Sequence, residues 1–300
     1  MRCPPLGVFL LTMGLAAATL AAQSQNPPFR LPAGVDLRPD LVYATVGSRD
    51  LHLDLFLPGA GSGPFPAVVY IHGGGWSAGN RMAFRRQAAD MATKGFAGAC
   101  IEYRLSQEAK YPAALYDSKA AVRWLRANAA RFHIDGNRIG AAGGSAGGHL
   151  AAMLGTTAGI AEFDGEEGGA GVSTRVMAVA AFNPALDFAD FAKRDAEAAN
   201  RAVTLFLGAS YADKPELWKA ASPVRHVNSR SAAFLFLHGD ADSTVPYRQS
   251  VAMMEKLKAA GVRAELFTAP GAKHGFFNAP PWFQPALERM EQFFVSTLKP

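Results

Sequence analysis

Three residue types that together perform nucleophilic chemistry occur in this 300-residue sequence, each on its own short glycine-bearing stretch. Ser145 stands in GGSAGG, Asp242 in HGDADSTVP and His274 in PGAKHGFF. A serine hydroxyl is a weak nucleophile until a base takes its proton. An imidazole serves as that base when an acid fixes its tautomer and steadies its charged form. Gly143-Gly144-Ser145-Ala146-Gly147 matches the G-x-S-x-G pattern, whose serine occupies a sharp turn between a strand and a helix. The pentapeptide alone also fits an ordinary glycine-rich turn with a bystander serine; the later acid and base, in the order Ser, Asp, His, favour chemistry. On this reading Ser145 is the nucleophile, His274 the general base and then acid, and Asp242 the orienting carboxylate. Asp240, which after Gly239 equally suits a turn, and Asp187, which follows the preceding apolar run, are competing acids.

Acyl transfer also needs donors for a developing oxyanion. YIHGGGW, residues 70–76, follows an apolar run, and its glycines let backbone N–H groups come close to a substrate. Gly74 and Gly75, with the N–H of Ala146 just after the nucleophile, are the expected donors. His72 reads as a brace for this loop, and Trp76 as either a wall of the substrate pocket or plain packing. His149 falls one turn into the helix after Ser145 and reads as structural. Arg104 and Asp117 suit an ion pair behind the site. No cluster has zinc-ligand spacing, and the chemistry calls for neither metal nor cofactor.

These residues must be presented by regular elements. LVYATVG and LHLDLFLP alternate apolar and polar residues, which predicts an antiparallel pair, preceded by an irregular leader from Asn26 to Asp40. PAVVYIH, FAGACIEYRL, VMAVAAFNP and AAFLFLHGD read as buried strands, and RIGAA and RAELFTAP as further strands of the set. Helices are predicted at Met82 to Lys94, from Pro112 with Val122, Leu125 and Ala129 on one stripe, from Ala146, from Tyr247 to Ala260, and from Pro285 to Leu298. Asp135-Gly136 reads as a turn. AEFDGEEGGAGVST reads as a solvated, mobile loop without the spacing of a calcium site. Asp187 to Val227 reads as a modest helical insertion in place of a large lid. The alternation predicts one α/β domain over residues 25–300 with a mostly parallel sheet and helices on its flanks.

Composition is consistent with such a domain: 49% hydrophobic and 18% charged residues suit a globular chain. Residues 1–24 carry Arg2, an apolar run from Leu6 to about Leu20 and then small residues, the layout of a cleaved export signal. The mature protein is therefore expected to be secreted or periplasmic. Cleavage removes Cys3 and leaves Cys100, which sits in a buried-strand pattern and reads as a core thiol. The net charge of +5 is spread along the chain without a basic stripe, which argues against nucleic acid as a partner. No later segment is long and apolar enough to span a membrane, and the sequence leaves the oligomeric state open.

HGGGW, EYRLS, YPAALYDSKAAVRWLRANAARFHID, GGSAGGHLAAMLG, LWKAASPVRHV, LHGDADSTVPYRQS and KHGFF together resemble the α/β-hydrolase esterases related to hormone-sensitive lipase. Within these, the chain is most similar to the secreted bifunctional feruloyl and acetyl-xylan esterase-like group, from about Leu41 to the C-terminal helix. Gly144 departs from many of those relatives, which carry Asp or Glu before the serine. The resemblance implies an α/β-hydrolase fold and the same triad, Ser145, Asp242 and His274. It also implies hydrolysis of short-chain or aryl esters, such as acetyl or feruloyl groups on plant polysaccharide. An amidase or peptidase with the same triad is the alternative chemistry, and a non-catalytic binding protein on the same scaffold the alternative class.

Overall fold

An antiparallel ribbon opens the structure. In the computed structural model, which describes residues 29–169, 171–193 and 197–299, β1 (Val35–Val46) pairs with β2 (Arg49–Pro58). The expected export signal, residues 1–24, lies outside the described residues. The strand begins earlier than its sequence pattern suggested, because Val35, Asp36 and Leu37 find partners in Pro58, Leu57 and Phe56. The irregular signal of Pro39-Asp40 is absorbed as a bulge between Arg38 and Leu41, with Asp40 at φ 59°. A bulge is where a strand can accommodate a proline that has no N–H to give.

Beyond the ribbon lie β3 (Phe65–Ile71), β4 (Ala97–Ile101), β5 (Ile134–Gly144), β6 (Ala178–Phe182), β7 (Ala233–Gly239) and β8 (Ala264–Ala269). Among the described residues the sheet has eight strands in the order β1-β2-β4-β3-β5-β6-β7-β8. β2 meets β4 antiparallel, and every later pairing is parallel. Asp135-Gly136, expected as a free turn, lies within β5. There the register against β3 jumps from Phe65↔Ile134 to Ala67↔Ile139, and the Asp135 carboxylate accepts from the Asn137 N–H. The turn chemistry is present, but the chain returns to its strand.

Side-chain alternation assigns the helices to faces. Gly98 and Gly140 both pair with Val68, so their Cα hydrogens point to one side of the sheet. A Cβ at Gly98 would meet Ala88 of α1 (Arg85–Thr93), and one at Gly140 would meet Phe294 of α9 (Phe283–Leu298). These two helices therefore share a face. Val69, Ala99, Ala141, Val179 and Phe234 face the other way, into one continuous apolar cluster. That cluster takes in Leu115 and Val122 of α2 (Ala113–Ala127), Leu150 and Leu154 of α3 (Ala146–Thr156), and Met253 and Leu257 of α8 (Tyr247–Ala259). Helix α2 is shorter than predicted, so Ala129 lies beyond its end while Val122 and Leu125 remain on the buried stripe. Cys100 is buried in β4, as its pattern implied, and burial pushes its thiol well above the ordinary range.

Between α3 and β7 the chain adds α4 (Ala161–Asp164), α5 (Phe188–Ala192), α6 (Glu197–Leu207) and α7 (Pro215–Ala220). The acidic stretch around α4 is not the loose loop expected. Asp164 lies 2.7 Å from the fully buried Lys119 ammonium and also accepts from the Thr174 hydroxyl. Arg123 donates to the carbonyls of Asp164, Gly165, Glu167 and Val172. Two buried cations on α2 would be costly without partners, and this loop supplies them. The described residues from Leu31 onward form one compact unit.

Helix α3 approaches β3 and β5 closely enough to leave no room for a side chain. A Cβ on Gly147 would lie 2.1 Å from the Ile71 carbonyl oxygen, and one on Gly143 would lie 2.3 Å from the Gly147 carbonyl oxygen. Both obstacles are backbone and cannot step aside. Gly147→Ala is expected to cost about 3 kcal/mol or more, read as a lower midpoint in urea unfolding. An unchanged midpoint would mean that this contact does not hold the helix in place.

Candidate active site

The mutually parallel strands β3, β5, β6, β7 and β8 end along one edge of the sheet, and the loops that leave those ends carry the candidate residues. Ser145 is the junction between β5 and α3. Its backbone sits at φ 55° and ψ −117°, a conformation that ordinary side chains rarely adopt. The junction is held from both sides, by Ser145 N–H to the Phe182 carbonyl at 2.9 Å and by His149 N–H to the Ser145 carbonyl at 2.9 Å.

His274 and Asp242 come from the loops after β8 and β7. The two loops are fastened to each other: Ala241 N–H donates to the Ala272 carbonyl at 3.2 Å, and Gly271 N–H donates to the Asp240 carboxylate at 2.6 Å. Asp240 thus shapes the turn. Asp187, the other competing acid, caps α5 by accepting from Ala189 N–H. Asp242 is the acid that meets the histidine. Its Oδ2 lies 2.7 Å from His274 Nδ1, and His274 Nε2 lies 3.0 Å from Ser145 Oγ.

Electrostatics fixes the direction of this chain. Burial alone would raise the Asp242 carboxyl, but hydrogen bonds from His238 and His274, the charge on His274 and the Val245 N–H hold it well below the usual carboxylate range. An ionised carboxylate only accepts, so His274 Nδ1 carries the hydrogen and Nε2 is left to accept from the Ser145 hydroxyl. The arrangement can take a proton from Ser145 and steady the resulting imidazolium.

The glycine loop after β3 lies against this chain. A Cβ on Gly73 would stand 2.8 Å from the Gly144 carbonyl oxygen and 3.4 Å from Ser145 Cβ, so Gly73, not singled out from the sequence, packs directly on the serine turn. Gly74 and Gly75 sit at φ 110° and 59° in the cavity lining beside Ser145, and the Gly74 carbonyl is taken by the N–H groups of Ser77 and Ala78. Ala146 is buried at the first position of α3, where helical N–H groups have no partner within the helix. His72 braces the loop: its Nδ1–H donates to the Gly73 carbonyl at 2.8 Å and its ring stacks on Tyr103 at 4.3 Å.

Trp76 serves as both wall and packing. It lines the cavity, yet its ring stacks on Phe206 at 4.6 Å and its indole N–H donates to His149 Nδ1 at 3.2 Å. His149 in turn donates from Nε2 to the Ala221 carbonyl at 2.8 Å. This histidine is structural, a fully buried neutral ring that locks a pocket wall to the α7 end of the insertion. Arg104 grips the buried Asp117 carboxylate from Nε at 3.0 Å and Nη2 at 2.7 Å, a scaffold pair behind the glycine loop.

The cavity has a volume of about 550 Å³. Its walls are mostly apolar: Trp76, Phe84, Phe191, Val203, Val245 and Phe277 surround the polar line of Ser145 and His274. A Cβ on Gly144 would lie 2.6 Å from the Phe277 ring, so a side chain there would require that ring to shift. Phe277 instead packs at that spot, stacked with Phe84 at 5.7 Å. Sequence reasoning also missed Asn183 and His238. Asn183, at φ 36°, places its amide nitrogen 3.2 Å from each ring nitrogen of His274, and an asparagine just past a strand end was the available signal. Among the described residues no group of three or more His, Cys, Asp or Glu is placed to hold a metal ion. No helix among them is long and apolar enough to cross a membrane.

Comparison with known proteins bears on the family and the fold. Residues 53–257 match the family described as BD-FAE. Over 218 residues the chain is 32% identical to Esterase LipC of Mycobacterium tuberculosis, covering 71% of this chain and 53% of that protein. It therefore spans about half the length of that relative. Over 266 residues it is 30% identical to Carboxylesterase NlhH of the same organism, covering 85% of this chain and 80% of that one. A solved truncated form of a carbohydrate esterase from gut microbiota superposes with a TM-score of 0.79 at 30% identity, covering 88% of this chain and 97% of that one. The fold is that of the α/β-hydrolases.

The locked wall carries a pH signature. Burial, partly opposed by the hydrogen bond to the Ala221 carbonyl, pushes His149 from its usual 6.5 down to about 4. The unfolded chain therefore binds this proton first, so the stability owed to a neutral His149 is complete above pH 6.5 and is lost as pH falls toward 4. The loss amounts to about 3 kcal/mol. His149→Gln removes this dependence, so the unfolding free energies of variant and wild type are expected to converge between pH 7 and pH 4. Parallel curves would contradict the assignment.

Proposed function

The chain belongs to the BD-FAE family of α/β-hydrolases, and from that premise we propose that it is a serine carboxylic-ester hydrolase working through an acyl-enzyme. The observation that carries the reading is the unbroken line from Ser145 Oγ to His274 Nε2 at 3.0 Å and from His274 Nδ1 to Asp242 Oδ2 at 2.7 Å. As Ser145 attacks the ester carbonyl carbon, its proton passes to His274 Nε2, and Asp242 steadies the imidazolium. The carbonyl oxygen becomes an anion facing the N–H groups assigned to Gly74, Gly75 and Ala146. Collapse expels the alcohol, which takes the proton back from Nε2. Water then attacks the acyl-serine with His274 again as base, releasing the acid and restoring the hydroxyl.

Cavity and likeness support a narrower substrate class. About 550 Å³ with aromatic and aliphatic walls suits a short acyl chain or a single aromatic ring. Helices α5 and α6 contribute Phe191 and Val203 to that wall, so the insertion furnishes a side of the site rather than a large cover. Similarity to a carbohydrate esterase, together with the export signal read from residues 1–24, favours acetyl or feruloyl esters of plant polysaccharide met outside the cytoplasm.

Ser145→Ala is expected to abolish hydrolysis of p-nitrophenyl acetate and labelling by a fluorophosphonate probe, with thermal unfolding unchanged; near-wild-type turnover would refute the nucleophile assignment. Acetylated xylan, methyl ferulate, p-nitrophenyl esters of graded length and matched amides, compared by kcat/KM, test the substrate class. Turnover is expected to fall beyond short acyl chains and to favour ester over amide. A preference for the amides would move the protein to amidase chemistry.

A further inference from the structure

Asp242 has a second histidine. His238, at the end of β7, is fully buried, and its role bears on the triad reading given above. Its Nε2 faces two acceptors, Asp242 Oδ2 at 3.2 Å and the Val245 carbonyl at 3.1 Å. Its Nδ1 lies 2.7 Å from the hydroxyl of Ser250, itself buried in the first turns of α8. A ring nitrogen aimed at a carboxylate and a carbonyl must carry the hydrogen. Nδ1 is therefore bare and accepts from Ser250 Oγ–H. The Tyr247 ring meets His238 edge-on at 5.7 Å, and its hydroxyl is engaged with Thr268 at 2.5 Å. The titratable groups facing His238 are thus Asp242 from its own loop and Tyr247 from α8, with His274 reached through the carboxylate.

The consequence lies in how the acid is held. Thr244 and Val245 N–H groups fix Oδ1 at 2.8 and 3.0 Å. Oδ2 would otherwise be stationed by His274 alone, the group whose protonation changes during the reaction. We propose that His238 is a positioning residue that shares its Nε2–H between Val245 and Asp242 and so holds Oδ2 in place for His274, with Ser250 keeping it in that tautomer. A donor on the strand that feeds the acid's own loop makes the carboxylate's position independent of the base's charge state. It also gives the negative charge of Oδ2 a second donor besides His274.

The test compares two substitutions by pH–rate profile. His238→Gln retains an N–H donor and an acceptor; His238→Phe keeps volume and removes both. With p-nitrophenyl acetate, the Phe variant is expected to lose roughly tenfold in kcat, with KM little changed. Its acid limb should move to higher pH, because a less-shared carboxylate charge holds the His274 proton longer. The Gln variant should keep the wild-type limb. A Phe variant with the wild-type limb, or a Gln variant shifted as far as Phe, would overturn the proposal. Where a variant fails to fold, long-range nitrogen–proton NMR of the wild-type imidazoles decides: a protonated Nε2 and bare Nδ1 on His238 are expected, and a protonated Nδ1 would refute the role. That spectrum needs no substrate, so a wild-type protein without ester turnover would count against the ester-hydrolase reading while the His238 tautomer is still read.

Discussion

The site depends on a contact between backbones. Helix α3 comes so close to β3 and β5 that Gly147 faces the Ile71 carbonyl without space for a methyl group. That approach lets the chain reverse within one residue, places Ser145 at φ 55° and projects its hydroxyl from the edge where the parallel strands end. Everything else in the site is arranged around the fixed point so created. The glycine loop after β3 packs on it through Gly73, and the two loops that bring acid and base are stitched to each other through Asp240 and Ala272. Strain at one residue persists because the surroundings over-determine it.

Two kinds of buried polar group share this small volume, and they are handled in opposite ways. Asp242 stays charged because backbone and imidazole donors surround it, which outweighs the burial that opposes its charge. His149 and His72 are kept neutral by burial and use both or one of their ring nitrogens for fixed hydrogen bonds. The charged group belongs to the proton path, and the neutral rings belong to the walls. Outside the cavity lining, Lys119 and Arg123 are buried cations of a third kind, off the proton path, and the α4 loop supplies them with carboxylate and carbonyl oxygens.

Much of this could be read from residue order alone, because strand-to-helix turns with a central serine and glycine loops after strands are local patterns. Ser145, Asp242 and His274 fall where their motifs indicated, and the apolar runs became the strands expected. What the pattern could not show was long-range. Val35 to Leu37 looked irregular until Phe56 to Pro58 offered them partners. The acidic loop looked solvated because its cations lie about 45 residues earlier on α2. His238 and Asn183 read as ordinary strand-end residues, since their contacts with Asp242 and His274 exist only once separate loops converge.

Gly144 and Phe277 are 133 positions apart in the chain, yet neither can be considered alone. The Phe277 ring occupies the space a side chain at 144 would need, and it does so from the same loop that carries His274. A side chain at 144 therefore requires the Phe277 ring to shift or a smaller residue to stand at 277. The residue before the nucleophile and the ring beside the base thus divide one small volume, so the width of the site at the serine is set jointly by two loops that the chain order keeps far apart.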